Sequence, residues 1–153
     1  MPATAASDAS GDAMGTLSNI PPHAVLPLAA YDLDALGRAA RQADQRLLRA
    51  DLGHATDTNG VLATIAGAFS LPSHSGDGFG ALYDCVTDLK PPGDADQPGF
   101  LVILENLPDT AQFGREQRDR LLDVFRDAAD FFFDRETAFR VFYSVRAAGS
   151  ASA

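Results

Sequence analysis

The sequence predicts an α/β fold built on a small parallel sheet, and three features carry that prediction. Phe100-Leu101-Val102-Ile103-Leu104 is an unbroken apolar run of strand length, which suits a parallel strand covered on both faces. Phe139, Val141, Phe142, Tyr143 and Val145 supply another strand, rich in β-branched and aromatic side chains. The segments around these runs carry apolar residues at helical spacing, and strands separated by helices argue for a parallel sheet.

Residues 1–22 read as a disordered tail. Most of this stretch is Ala, Ser, Gly, Asp and Thr without period, too poor in apolar surface to offset ordering entropy. Residues 147–153 read the same way. Residues 23–45 form a lead-in punctuated by Pro27 and then a first helix. Leu33, Leu36, Ala40, Ala43 and Leu47 recur at helical spacing behind candidate caps Asp32 and Asp34. The run from Leu47 to Leu52 fits the end of that helix or a first strand, and local pattern leaves the choice open. Thr58 or Asn59 can cap a second helix whose inner stripe is Val61, Leu62, Ile65 and Phe69. It stops near Ser70, because Pro72 disfavours α geometry at Leu71. A third helix is expected from about Asp77 to Lys90, ended by Pro91 and Pro92, with a turn-rich stretch following to Gly99. A long fourth helix runs from roughly Gly114 to Arg135, with Leu121, Leu122, Phe125, Ala128 and Phe132 facing inward. No internal repeat is present.

A chain of 153 residues holds one domain with tails to spare. Its 12 basic against 21 acidic side chains give a net charge of -9. That field repels phosphate backbones, which disfavours nucleic acid as a partner, and it attracts a basic protein. Acidity also serves solubility alone, so charge by itself decides little. Cys85 is the single cysteine, so no intrachain disulfide can form. The N-terminus lacks the pattern of a secretory signal, and no apolar run approaches the ~20 residues that cross a bilayer. A cytoplasmic monomer without a membrane partner is expected.

Two helical faces stand out. On the third helix Phe79, Leu82, Val86 and Leu89 cluster on one side, while Asp77, Asp84 and Asp88 fall opposite, beside Gly80 and Thr87. Tyr83 sits at the boundary. Asp84 and Asp88 are like charges at i,i+4, and Asp88 lies where the helix dipole disfavours an acid. On the fourth helix Asp119, Asp123, Asp127 and Asp130 run down one face, with Arg120 and Arg126 near enough to relieve some repulsion. Each row alone suits a solvated face of an acidic protein. Together they also suit a cation-binding surface, since carboxylates on rigid helices can mimic the phosphates a nuclease site expects.

The stretch from Leu71-Pro72-Ser73-His74-Ser75-Gly76 to Ala81-Leu82-Tyr83-Asp84-Cys85-Val86-Thr87-Asp88-Leu89 resembles the signature loop and helix of barstar-like ribonuclease inhibitors. The apolar strand ending in Glu105 and the helix Leu121-Leu122-Asp123-Val124-Phe125-Arg126-Asp127-Ala128 match that family in the same order, over roughly Leu47 to Val145. The resemblance implies a three-stranded parallel sheet packed with helices, here with an extra N-terminal helix, in a domain spanning 46–146. It implies an intracellular inhibitor conferring immunity to a basic secreted-type ribonuclease or nuclease toxin, with no enzyme activity of its own. By the same resemblance Asp84 enters the partner's catalytic centre. His74, Tyr83 and Asp127 fall at contacting positions, Gly76 and Thr87 at further interface positions, and Asp88 shares the acidic face. Gly80 stands where the family has a second contacting aspartate, Gly78 where it has an asparagine, and Leu89 where it has a tryptophan. A regulatory or scaffolding module for a partner that is not a ribonuclease is the alternative.

Other chemistry fits less well. Gly76-Asp77-Gly78-Phe79-Gly80-Ala81 matches the G-x-G-x-x-A dinucleotide pattern, but a helix and a proline-bearing loop precede it where the fingerprint needs a strand. His23, His54 and His74 lack metal-ligand spacing, so no metal or cofactor is expected. Cys85 lies on the core flank between two acids, whereas a nucleophilic thiol needs an exposed electropositive setting. Glu105 at a strand end has no paired base or nucleophile.

Overall fold

The computed structural model describes residues 20–28, 32–90 and 99–146. In chain order they form β1 (Val25–Pro27), α1 (Leu33–Gln42), β2 (Arg46–Asp51), α2 (Thr58–Ala68), a 3₁₀ segment (Ser73–Asp77), α3 (Phe79–Thr87), β3 (Gly99–Leu107), α4 (Arg115–Phe133) and β4 (Ala138–Val145). The sheet order is β1-β4-β3-β2, with every neighbouring pair parallel.

The two central strands are β3 and β4. From Gly99 to Leu104 every residue of β3 is buried, because helices cover both of its faces. Side chains of a strand alternate between faces, and two cores follow from that alternation. Phe100, Val102, Leu104, Phe139 and Val141 pack with Leu48, Ala50 and the inner stripes of α2, α3 and α4. Leu101, Ile103 and Phe142 pack on the other face with Leu36, Ala39 and Ala40 of α1 and with Ile20. Aromatic contacts tie α4 to β4: Phe132 stacks on Phe139 at 5.2 Å and Phe125 at 6.3 Å between ring centroids.

Several expectations are corrected. The sheet has four strands, not three, since Val25–Pro27 pairs with β4 through Val25↔Val141 and Leu26↔Phe142. Three residues show no readable period, and Pro27 is tolerated only because β1 is an edge strand. The open choice at Leu47 resolves as strand: it lies in β2, pairs with Leu101 of β3 and is 38% exposed, so it leaves the apolar stripe of α1. Asp57, not Thr58 or Asn59, caps α2 by accepting a hydrogen bond from the Gly60 amide at 2.8 Å. Asp32 caps α1, accepting from the Asp34 amide at 3.0 Å.

The third expected helix is divided. A 3₁₀ turn ends at Asp77, extended Gly78 serves as N-cap, and α3 begins at Phe79, so Asp77 caps nothing. Gly78 therefore lies outside the helix, and of the two glycines only Gly80 bears a helical cost. Residues 1–19, 91–98 and 147–153 fall outside the described residues, and with them most of the expected tails. Ile20, within the stretch read as tail, is 5% exposed, and its carbonyl accepts a hydrogen bond from the Arg140 Nε.

Candidate functional site

The helices α3 and α4 pack against each other on one face of the sheet, and their exposed flanks make one surface. Leu82, Cys85 and Val86 anchor α3 in the core. That anchoring leaves Gly80, Asp84 and Asp88 exposed on the opposite side, with Tyr83 and Thr87 half-buried between. Leu121, Leu122, Phe125, Ala128 and Ala129 do the same for α4, leaving Asp123, Asp127 and Asp130 in solvent. Both rows are set by the phase of the apolar stripe beneath them.

The acids of α4 divide into two groups. Asp123 is paired with Arg126 at 2.8 Å, and Asp119 lies 4.0 Å from Arg115. Arg120 forms no ion pair with the row among the described residues; its guanidinium sits over the Phe79 ring, 4.8 Å from the centroid, and ties α4 to α3. Asp127 and Asp130 have no cation or hydrogen-bond donor among the described residues, and the same holds for the carboxylates of Asp84 and Asp88. Unpaired aspartates therefore lie exposed on both α3 and α4.

Tyr83 of α3 shares with Asp127, Asp130 and Phe131 of α4 an open cleft of about 390 Å³, which Asp134 and Arg135 also line. Arg135 is turned back onto its own helix, 3.7 Å over the Phe131 ring and donating to the Phe131 carbonyl at 3.0 Å. The cleft brings Tyr83 and Asp127 together, as the sequence reading grouped them. Phe131 and Asp134 were not singled out in the sequence, although Asp127, Asp130, Phe131 and Asp134 share one helical face by i,i+3, i+4 and i+7 spacing.

The 3₁₀ segment borders α3. His74 is exposed, and its Nε2 lies 3.3 Å from the Cys85 sulfur. That thiol is 4% exposed, beneath the surface that carries Asp84. Gly76 is half-buried, and a Cβ added there would meet the α2 backbone at Ala63 at 3.8 Å, an ordinary contact distance. In the same turn the Ser75 hydroxyl is buried without a hydrogen-bond partner among the described residues. Gly80 faces open space, with nothing within 4 Å of where a Cβ would stand. The Thr87 hydroxyl is directed at its own helix, donating to the Tyr83 carbonyl at 2.9 Å with the Asp84 carbonyl at 3.1 Å.

Glu105 is drawn into a different structure, accepting both the Arg49 Nε at 2.8 Å and Nη2 at 3.0 Å. This bidentate pair crosses from β2 to β3 and holds the Arg49 guanidinium more firmly protonated than usual. Among the described residues no three His, Cys, Asp or Glu side chains converge as a metal site, and no helix is long and apolar enough to cross a membrane.

What the α3–α4 surface can do chemically is accept cations. It offers four carboxylates on rigid helices, an aromatic flank and a recess, and none of the four is in an ion pair among the described residues. The family model described as Barstar (barnase inhibitor) matches residues 45–144, from the start of β2 to the end of β4, and includes both acidic helices. No curated protein and no solved structure matches the chain.

Proposed function

Because the chain belongs to the barstar family, we propose that it is an intracellular inhibitor that seats the α3–α4 surface in the active site of a basic ribonuclease or related nuclease toxin. In this reading it acts as a cytoplasmic monomer that gives its producer immunity, through a domain spanning 46–146, with no catalytic step of its own. The observation that supports the reading is that Asp127 and Asp130, unpaired among the described residues, share a cleft with Tyr83, while Asp84 and Asp88, likewise unpaired, lie exposed on the same helix as Tyr83. Asp119 and Asp123 of α4 are paired internally, so in this reading the four unpaired aspartates are the ones a partner's arginines and lysines would neutralise.

Asp84 is the plug: exposed on a rigid helix, it enters the partner's cationic centre, where charge-assisted hydrogen bonds replace its hydration. Tyr83, Thr87, His74 and Gly76 line the contact around it, and Asp88 and Asp127 supply the surrounding field. The experiment is titration of a barnase-type ribonuclease with the full chain at low and moderate ionic strength. A tight complex whose association slows with added salt supports the reading, since exposed charges steer encounter over about 10 Å at 0.1 M salt. Absence of a complex with any basic ribonuclease rejects it.

A second reading is favoured by one feature, the bare helix at Gly80 where the family places an aspartate. A scaffolding or regulatory module for a partner that is not a ribonuclease would not need that acid. Partner capture indifferent to loss of the Asp84 carboxylate would favour this alternative.

A further inference from the structure

The sheet face opposite the acidic helices carries a cleft of about 220 Å³ between α1 and the edge strand β2. Its charge is opposite to that of the chain as a whole. Arg38 and Arg41 of α1 and Arg49 of β2 all line it, against a single acid, Asp34. Arg49 is committed to Glu105, whereas Arg38 and Arg41 have no carboxylate partner among the described residues. Since Asp34 can offset only one of those two guanidinium charges, the cleft keeps a positive surplus in a protein of net charge -9. The remaining walls are apolar: Leu33, Ile103 and Leu47, the last left 38% exposed beside the recess.

Gly37 supplies an independent observation. It lies in the interior of α1 and lines the same cleft. Glycine there costs helix stability relative to alanine, because it loses the most backbone freedom on folding. Nothing in the fold requires it. Its φ is not positive, and a Cβ would meet only the Arg41 Nη1, at an ordinary contact distance of 3.7 Å. What the missing side chain does is hold the cleft open between the arginines.

We infer that this cleft is a binding site for a small phosphate ester, its phosphate held by Arg38 and Arg41 and its apolar body resting on Leu33, Leu47 and Ile103. Planar guanidinium groups suit phosphate oxygens, and the recess has room for an aryl-sized body beyond the phosphate. Most of the site lies on α1, ahead of the family match, and on the sheet face away from the proposed inhibitory surface. It therefore stands or falls independently of that function.

The test is titration of the full chain with phenyl phosphate, followed by amide chemical shifts in α1 and β2 and by calorimetry. Saturable binding is expected. Inorganic phosphate, lacking the apolar body, should bind about tenfold more weakly or worse, and R38Q/R41Q should lose at least as much. Gly37→Leu should fill the recess and abolish binding. Gly37→Ala should raise Tm by roughly 2–4 °C, which establishes that the glycine is not needed by the fold. Binding unchanged in R38Q/R41Q, equal affinity for inorganic phosphate, or no saturable binding of phenyl phosphate would each overturn the site.

Discussion

At Gly80 this chain lacks the contacting carboxylate that the barstar resemblance implies, and among the described residues nothing lies within 4 Å of where a Cβ would stand. Gly80→Asp therefore isolates the charge. It sits in the first turn of α3, where an acid complements the helix dipole and a non-glycine residue reduces backbone freedom in the unfolded state. Stability should rise by about 0.5 kcal/mol in urea unfolding. Binding to a barnase-type ribonuclease should tighten by the added ion pair. Binding to the native partner should weaken, because a partner shaped to this surface fills the notch beside Asp84. Affinities of Gly80→Asp for both enzymes decide the matter, and tightening toward both would show that the surface is not tuned to a different partner. The resemblance placed Asp84, Tyr83 and Asp127 in one site, and Tyr83 and Asp127 do share a cleft. The inward-directed Thr87 hydroxyl and the His74–Cys85 contact were not legible, because each depends on a rotamer rather than on helical phase.

Along α4 the division between paired and unpaired acids yields a contrast within one element. Asp127→Ala should cost about 1–2 kcal/mol of partner binding, less than loss of Asp84, with part of the loss in association rate. Asp123→Ala removes an acid already satisfied by Arg126 at the surface, so its effect should stay within about 1 kcal/mol. Stopped-flow association rates for the two variants across a salt series check this, and equal losses would contradict the pairing argument.

The ends of β2 and β3 carry a second element-level device. Asp51 accepts from the Gly53 amide at 2.9 Å and from the Asn106 side chain at 3.1 Å, and these bonds hold its carboxyl below the ordinary 3.8. A folded-state pKa below the unfolded one means the added stability is present above about pH 3.8 and is lost as pH falls through the lower folded value. The stability advantage of the native chain over Asp51→Asn should shrink in that acid window in urea titrations; a difference constant with pH would contradict it. The helices were legible because each buries an apolar stripe of clear period, and the two central strands because their apolar runs are buried on both faces. The β1 strand, the α1–β2 boundary and the Asp57 cap were not, since three-residue pairing, a two-fold ambiguous apolar run and competing cap residues are settled by tertiary contacts.

At the scale of the molecule, one sheet separates two chemically different sides. The α3–α4 side gathers unpaired acids, and the α1 side gathers arginines, a polarity that overall composition averages away. Arg140 lies within the α1 side: only 9% exposed, it donates to the Ile20 carbonyl, and burial lowers its pKa below the usual guanidinium range. No local pattern marks an arginine between Phe139 and Val141 as an interior residue, because its surroundings come from the chain's beginning and the sheet's far face. The central claim concerns the acidic side. Its most direct test is inhibition of a barnase-type ribonuclease by the full chain and by Asp84→Ala, with circular dichroism to verify that the variant is folded. The native chain should inhibit the enzyme stoichiometrically. Asp84→Ala should inhibit with an affinity lower by about 2–5 kcal/mol, the cost of leaving buried cations without their partner. Inhibition by Asp84→Ala equal to that of the native chain would contradict the proposal that this surface plugs a nuclease active site.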